Sequence, residues 1–150
     1  MCAVRLFLFS FLILFLLSSQ CLADVQITNM NDIALGSWGG SGDLQGDDSV
    51  CIYSTGSADY LVTASGSGAG SAFELTSGSD NLAYEVRYSD GGSFVQLTTG
   101  NSQAFTGASG TVNCGGGTNG TLRVTVRELD LSGVLSGSYS GTLTVVIDPN

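Results

Sequence analysis

The sequence predicts an all-β protein folded as an antiparallel sandwich or barrel, and three observations support this prediction. Apolar and polar residues alternate with a period of two in several segments, most clearly at residues 82–88, 122–127 and 142–147. Clusters rich in glycine, serine and aspartate separate these segments. After Ala23, no apolar stripe with the 3.6-residue period of a helix reaches a useful length. Many short alternating segments joined by turn residues are typical of antiparallel strands and not of a βαβ fold.

The remaining elements follow from residue type in chain order. Runs rich in β-branched and aromatic residues predict further strands at residues 25–28, 33–35, 50–53, 60–64, 72–75 and 94–98. Loops are predicted at residues 36–48, 65–71, 77–80, 89–93 and 99–110, which hold most of the 22 glycines. Because apolar strands punctuate these clusters, we interpret them as loops of a folded domain and not as one low-complexity tract.

The first 23 residues predict a secretory signal peptide. Arg5 precedes an apolar stretch at residues 6–17, and residues 21–23 read Cys-Leu-Ala, with small residues at −3 and −1. The apolar part is too short, and too abruptly followed by Asp24, to predict a membrane span. Cys21 lacks the small residue that precedes the cysteine of a lipoprotein site, so no membrane anchor is expected after cleavage. Residues 24–150 then form one domain.

The charge of residues 24–150 excludes several classes of partner and chemistry. This part holds all thirteen acidic residues and only three basic ones, Arg87, Arg123 and Arg127, for a net charge of −10. Such a chain is not expected to bind nucleic acid or an anionic membrane. The sequence contains no histidine, which rules out Ser-His-Asp and Cys-His catalysis and histidine-bound metal. We expect no cofactor.

Two cysteines remain after the predicted cleavage, and they predict a disulfide. Cys2 and Cys21 lie in the signal peptide, so Cys51 and Cys114 can pair only with each other within the chain. An exported protein reaches an oxidising compartment, where such a pair forms a disulfide. A reactive thiol pair is the less favoured alternative, because no CxxC spacing or neighbouring base supports it.

Three other features invite a functional interpretation beside a structural one. Asp43, Asp47 and Asp48 form the densest acidic stretch, which is either a calcium site or, as we favour, a solvated hairpin loop. Asn119-Gly120-Thr121 fits a glycosylation acceptor and, equally well, a tight turn. Trp38 could stack on a sugar ring, although a lone tryptophan more often covers the end of a core.

The carboxylates do not predict an enzyme. Aspartates are predicted mainly in turns, and Glu85/Arg87 and Arg127/Glu128 are predicted as exposed charges on sheet faces. Glycosidase chemistry needs two carboxylates that face each other across one cleft. We therefore expect no catalytic residue.

Four segments together resemble the spore coat protein U domain, which is found in subunits of archaic chaperone–usher pili. Residues 33–36 (IALG) resemble the family's early apolar-x-apolar-Gly turn, and residues 49–51 with 59–63 resemble the cysteine strand and its successor. Residues 82–90 (LAYEVRYSD) and 137–145 (GSYSGTLTV) resemble the family's L-x-Y strand and its closing strand. The resemblance extends from about residue 33 to residue 147 of the chain.

The resemblance implies an immunoglobulin-like sandwich that lacks its final strand. A donor strand from a periplasmic chaperone, and then from a neighbouring pilus subunit delivered by an usher, fills the open groove in such subunits. Leu143, Val145 and Ile147 would line that groove, and the protein would pass through the periplasm to a cell-surface fimbrium with roles in adhesion and biofilm formation. Residues 24–31 offer only Val25 and Ile27 as donor residues, which leaves open a minor, terminal or divergent subunit, or a secreted relative.

A binding module is the alternative function. In that case a complete, secreted β-sandwich would use Trp38 and its loops to hold a carbohydrate or a surface ligand. The two hypotheses differ in whether the isolated domain is complete or requires a strand from another chain.

We predict that export removes residues 1–23, because small residues at −3 and −1 fit the signal-peptidase pocket. Mass spectrometry of the exported protein should therefore find Asp24 at its N-terminus. An intact or diacylated N-terminus would contradict this interpretation.

Overall fold

The structure, a computed structural model, describes residues 24–150, so the predicted signal peptide lies outside the described residues. Within this range the strands are β1 (Val25–Thr28), β2 (Leu44–Ser54), β3 (Tyr60–Gly66), β4 (Glu74–Ser77), β5 (Asp80–Ala83), β6 (Glu85–Ser89), β7 (Val95–Leu97), β8 (Ser102–Phe105), β9 (Gly120–Val126) and β10 (Leu143–Pro149). Short 3₁₀ segments cover Ala69–Ser71 and Val112–Gly116, and α1 covers Glu128–Ser132. No helix in this part of the chain is long and apolar enough to cross a bilayer.

Two antiparallel sheets pack face to face. The larger has the order β1-β2-β9-β6-β7 and the smaller has the order β10-β3-β8. The β4–β5 hairpin forms a separate two-stranded ladder, and a bridge between Thr76 and Ser140 joins it to the chain just before β10. The predicted all-β, immunoglobulin-like antiparallel sandwich is confirmed.

The core lies between the two sheets, where the period-two pattern places it. In β9 the residues Leu122, Val124 and Val126 are buried, while the residues between them are only half-buried. Leu82, Tyr84, Val86 and Tyr88 are likewise buried. Successive side chains of a strand point to opposite faces. Alternation of polar and apolar residues therefore indicates a strand with one face on the core and the other toward solvent.

A pair of tyrosines connects the sheets at the centre of the core. The hydroxyls of Tyr60 on β3 and Tyr88 on β6 lie 2.9 Å apart in a hydrogen bond, and the Phe105 ring packs against both rings. Burial raises the pKa of Tyr88 well above its usual range, so the phenol stays neutral. A β-carbon at Gly120 would overlap the Tyr88 hydroxyl, which explains why glycine begins β9.

The structure corrects the predicted loop at residues 36–48, because β2 already begins at Leu44. Gly46 occupies the position on this strand where an apolar residue would reveal the alternation. The side chain of Ile33, from the preceding segment, lies against Gly46 and leaves no room for a β-carbon. Asp47 and Asp48, predicted in a turn, therefore lie on a strand.

Three smaller predictions also need correction, and one short helix was not predicted. Residues 33–35 form no strand, although Ile33 and Leu35 are half-buried. The strand predicted at residues 82–88 is divided at Tyr84. Its N–H donates to the Phe73 carbonyl, and the ladder between β6 and β9 begins only at Glu85. The predicted loop at residues 99–110 contains β8, and α1 was not expected. These elements are three to five residues long, too short for a periodic signal.

The disulfide between Cys51 and Cys114 is present in the structure. Cys51 is fully buried on β2, and Cys114 lies in the 3₁₀ segment Val112–Gly116, with the two α-carbons 5.9 Å apart. The bridge closes a loop with a sequence separation of 63 residues. It holds the long connection before β9 against the strand that forms the middle of the core.

We predict that replacing both cysteines by serine lowers the free energy of unfolding by roughly 2–5 kcal/mol, because a long loop regains its entropy in the unfolded chain. Urea titration of the oxidised protein and of the Cys51→Ser/Cys114→Ser variant measures the difference. Wild-type protein treated with a reductant serves as the control and should match the variant. Equal stability of all three would contradict the stabilising role.

Candidate functional site

No strand among residues 24–150 pairs with the outer edge of β10. β10 pairs with β3 along its whole length, from Leu143 opposite Gly66 to Pro149 opposite Tyr60, and it ends the order of its sheet. Its other edge therefore presents backbone N–H and C=O groups that no described strand satisfies. Such an edge is a template for pairing with another strand.

The predicted groove residues lie on the inner face of this edge strand. Leu143, Val145 and Ile147 are half-buried and pack against the core, while Thr144 and Val146 are exposed. The prediction that these three residues face inward agrees with this pattern. They are less buried than Val62 on the neighbouring β3, because β3 has a strand on both sides.

A cavity of about 820 Å³, lined by both polar and apolar groups, lies beside the segment that leads into β10. Residues 32–38 form one wall, residues 134–141 form the opposite wall, and side chains of β2, β5 and β9 reach it from the core. Its apolar lining residues are Ile33, Ala34, Leu35, Trp38, Leu44, Leu75, Leu82, Val126, Leu131, Val134, Leu135 and Tyr139. We call this cavity, together with the free edge of β10, the edge groove.

The sequence predicts a donor-strand groove beside residues 143–147, which stays a prediction, and it does not indicate this cavity. Leu143, Val145 and Ile147 are not among its lining residues, which come mostly from segments without regular structure. The alternation of Ile33 and Leu35 is the one local signal that could have indicated the first wall. No sequence pattern indicates that residues 134–141 lie opposite it.

Backbone contacts with the β4–β5 hairpin hold the second wall in place. The N–H groups of Thr76 and Ser140 each donate to the other's carbonyl, at 2.8 and 3.1 Å. Gly141 passes so close to the Glu74 carbonyl that a β-carbon there would lie 2.8 Å from the oxygen. The chain is therefore fixed to the hairpin immediately before it enters β10.

Trp38 covers one end of the edge groove. It is half-buried, packs against the core, and its indole N–H donates to the Gly42 carbonyl at 2.9 Å. The indole thus has the position expected of a tryptophan that covers a core, and its ring also lines the cavity. Trp38 is the only tryptophan in the sequence, so its fluorescence reports on the groove.

The three aspartates of the calcium hypothesis each have a different protein partner. Asp43 accepts the Glu128 N–H at 2.8 Å, and Asp47 accepts two hydrogen bonds from Arg123 at 2.8 and 2.7 Å. The Arg123 hydrogen bond lowers the pKa of Asp47 below its usual value. No group of three or more acidic residues or cysteines within residues 24–150 is arranged to hold a metal ion.

Asp48 anchors the segment that leads into the first wall. Its buried carboxylate accepts the backbone N–H of Asn31 at 2.8 Å and the Asn31 side-chain amide at 3.1 Å. Its position on β2 and these two bonds give it a structural role. The interpretation of a solvated hairpin loop is therefore wrong for Asp48.

The Asn119 side chain forms hydrogen bonds with the backbone of β2 that a neighbouring strand would otherwise form. Its side-chain oxygen accepts the Ile52 N–H at 2.7 Å, and its amide nitrogen donates to the carbonyls of Ile52 and Gly107, both at 2.9 Å. The amide that glycosylation would modify is therefore engaged in the fold. Asn119 directly precedes β9, but Gly120 already lies in that strand, so the tight turn predicted at these two residues is wrong.

The predicted charge pairs are only partly as expected. Glu85 contacts Arg87 and also accepts two hydrogen bonds from Arg127, at 3.0 and 2.9 Å. Glu128 lies in α1 and not on a sheet face, which corrects the predicted Arg127/Glu128 pair.

Comparison with solved structures shows that the fold occurs in fimbrial proteins. A chain of the structure described as a chaperone–tip adhesin complex vital for activation of CFA/I fimbriae biogenesis has a TM-score of 0.61 and 19% identity over 85% of this chain. A mutant of the CFA/I adhesin CfaE of enterotoxigenic E. coli has a TM-score of 0.56 and 14% identity over 85% of this chain. This chain spans 42% and 43% of those two chains. No family model and no curated protein sequence matches it.

We predict that Asn119→Ala lowers the free energy of unfolding by about 1–3 kcal/mol, because it leaves the backbone N–H of buried Ile52 without an acceptor. Thr121→Ala is the matched control. It removes the same glycosylation acceptor pattern, Asn119-Gly120-Thr121, but keeps the Asn119 side-chain amide, so it should change the free energy of unfolding by less than about 0.5 kcal/mol. Thermal unfolding of both variants tests this. Equal effects would show that the amide does not support β2.

Proposed function

We propose that this protein is an exported structural subunit of a chaperone–usher type pilus or surface fibre, completed by a donor strand from another chain. The donor would come first from a periplasmic chaperone and then, at an usher, from a neighbouring subunit. The proposed location is the periplasm followed by the cell surface. We propose a structural role and no enzymatic activity.

The free edge of β10 is the observation that carries this proposal. An added strand would hydrogen-bond to the unpaired backbone groups of residues 143–149 and place alternate side chains over Leu143, Val145 and Ile147. Strand addition of this kind gains affinity from main-chain hydrogen bonds and specificity from the pockets for alternate side chains.

The cavity of the edge groove supports a donor with a large apolar side chain. It lies beside residues 139–141, just before β10, and its lining includes aliphatic and aromatic side chains such as Leu35, Leu75 and Tyr139. Filling it would remove this surface from water, at roughly 25 cal/mol for each Å² of apolar area. An incomplete core of this kind gives the donor its thermodynamic reason to bind.

The similarity in fold adds independent support. The two solved structures that share the architecture belong to a fimbrial adhesin and to a chaperone–adhesin complex. Because identity is below 20%, the likeness concerns the fold, and the role in a fibre remains our proposal. The motifs at residues 33–36, 82–90 and 137–145 support the finer assignment to the spore coat protein U domain.

We predict that a donor segment appended after Asn150 through a short Gly/Ser linker stabilises the protein. Burial of about four apolar donor side chains should raise the melting temperature by at least about 10 °C. The fusion should also be monomeric and should shift the emission of Trp38 to shorter wavelength. The matched control carries serine at the four apolar donor positions.

The contradicting outcome is specific. A chain 24–150 that is monomeric alone, and as stable as the donor fusion, already has a complete sandwich. The binding-module function would then replace the pilus subunit.

We predict that Leu143→Asp and Val145→Asp each weaken folding or donor binding by about 2–4 kcal/mol, because each places a charge in a half-buried apolar position. Thr144→Asp, on the exposed face of the same strand, should cost less than about 0.5 kcal/mol. Thermal unfolding of the donor fusion and of the chain alone measures both effects. Equal damage from all three substitutions would mean that β10 does not use one face toward the groove.

A further inference from the structure

All three arginines of residues 24–150 lie on one surface, the outer face of the larger sheet. Arg87 lies on β6 and Arg123 on β9, each between residues whose side chains point into the core. Arg127 follows β9 directly and reaches across to Glu85 on β6. A domain with a net charge of −10 thus carries all three of its arginines on, or directly after, the two neighbouring strands β6 and β9.

The register of the sheet aligns four polar residues in one row across this face. Asp47 on β2 lies opposite Arg123, Arg123 opposite Arg87, and Arg87 opposite Gln96 on β7. Two arginines are therefore direct cross-strand neighbours. Like charges in this position repel each other unless anions compensate them.

The anions on this face compensate Arg123 and Arg127 more fully than Arg87. Both oxygens of Asp47 are bound to Arg123, and both oxygens of Glu85 are bound to Arg127. Arg87 has one contact with Glu85, at 3.3 Å, to an oxygen that Arg127 already holds at 2.9 Å. The Arg87 Nε is buried and has no hydrogen-bond partner among the described residues.

An amide side chain and an aromatic ring lie on the same face as Arg87. Its side chain is 38% exposed, and the exposed amide of Gln96 lies beside it in the row. Phe94 is half-buried, and its ring lies 3.9 Å from the Arg123 guanidinium carbon. Arginine, a side-chain amide and an aromatic ring together can bind a carboxylate, hydroxyl groups and an apolar ring face.

We propose that this face is a binding site for a carboxylated sugar, with the carboxylate on the Arg87 guanidinium. A guanidinium presents paired N–H groups in a planar fork that matches a carboxylate. A sugar that carries one negative charge fits better than a polyanion, because the net negative charge of the domain repels a polyanion as a whole.

The site is separate from the edge groove. The groove borders the smaller sheet and residues 32–38 and 134–141, whereas the arginines lie on the outer face of the larger sheet. A strand added to β10 would not cover them. The proposal consequently does not depend on the proposed function, and either can fail without the other.

The test is a titration of isotopically labelled protein, residues 24–150, with glucuronate, followed by nuclear magnetic resonance. We expect shifts at Arg87, Gln96 and Phe94, and no such shifts with glucose, which lacks the carboxylate. Arg87→Gln should weaken glucuronate binding at least about tenfold, the usual effect of losing a charge-assisted pair. Arg87→Lys keeps the charge but loses the fork, and should bind with intermediate affinity.

Glu85→Gln provides a variant with the opposite expected sign. It removes the internal carboxylate that competes for Arg87, so glucuronate should bind more tightly than to wild-type protein. A purely structural Arg87 would not produce this gain.

Three results of the titration would overturn the proposal. These are absence of binding, equal binding of glucose and glucuronate, and binding that Arg87→Gln leaves unchanged. Self-association that depends on Arg87, detected by sedimentation without bound sugar, would assign the carboxylate to a second copy of this chain and would also overturn it.

Discussion

The hydrogen-bonding requirement of β2 is the constraint on which the rest of the sandwich depends. This eleven-residue strand pairs with β9 over residues 44–50 and with β1 over residues 51–54. Where β9 no longer accompanies it, the Asn119 amide and the backbone N–H of Ser109 bind Ile52 instead. Buried backbone groups without hydrogen-bond partners are costly. The Asn119 amide and the Ser109 N–H supply those partners, which allows β2 to continue past the end of β9 to the disulfide.

The edge groove lies where regular strands do not complete the sandwich. Five strands face three, and the cavity is lined mostly by residues 32–38 and 134–141, which belong to neither sheet. Ile33, Leu35 and Trp38 cover part of it as irregular chain. These side chains cover the core only partly, and no strand among residues 24–150 pairs with the backbone edge of β10. The same geometry therefore leaves both an apolar gap and a template for a strand.

Assembly and recognition would use opposite sides of the domain. The groove borders the smaller sheet, whereas the arginine face lies on the outside of the larger sheet. Rigid strands hold both surfaces, and the Tyr60–Tyr88 contact joins the sheets between them. In the function that we propose, the domain would enter a fibre through the groove and still expose its charged face.

The sequence by itself determined the sandwich class, because Leu122, Val124 and Val126 reveal their common face through period-two alternation. It also determined the partners of the disulfide and the inward face of β10, since pairing by elimination and alternation are properties of the chain. Only the tertiary structure decided the start of β2, which Gly46 conceals because Ile33 fills the space of its side chain. It alone decided the cavity wall at residues 134–141 and the row of Arg123 beside Arg87. These depend on which strands become neighbours and in what register, and contacts between residues far apart in the chain leave no local period to read.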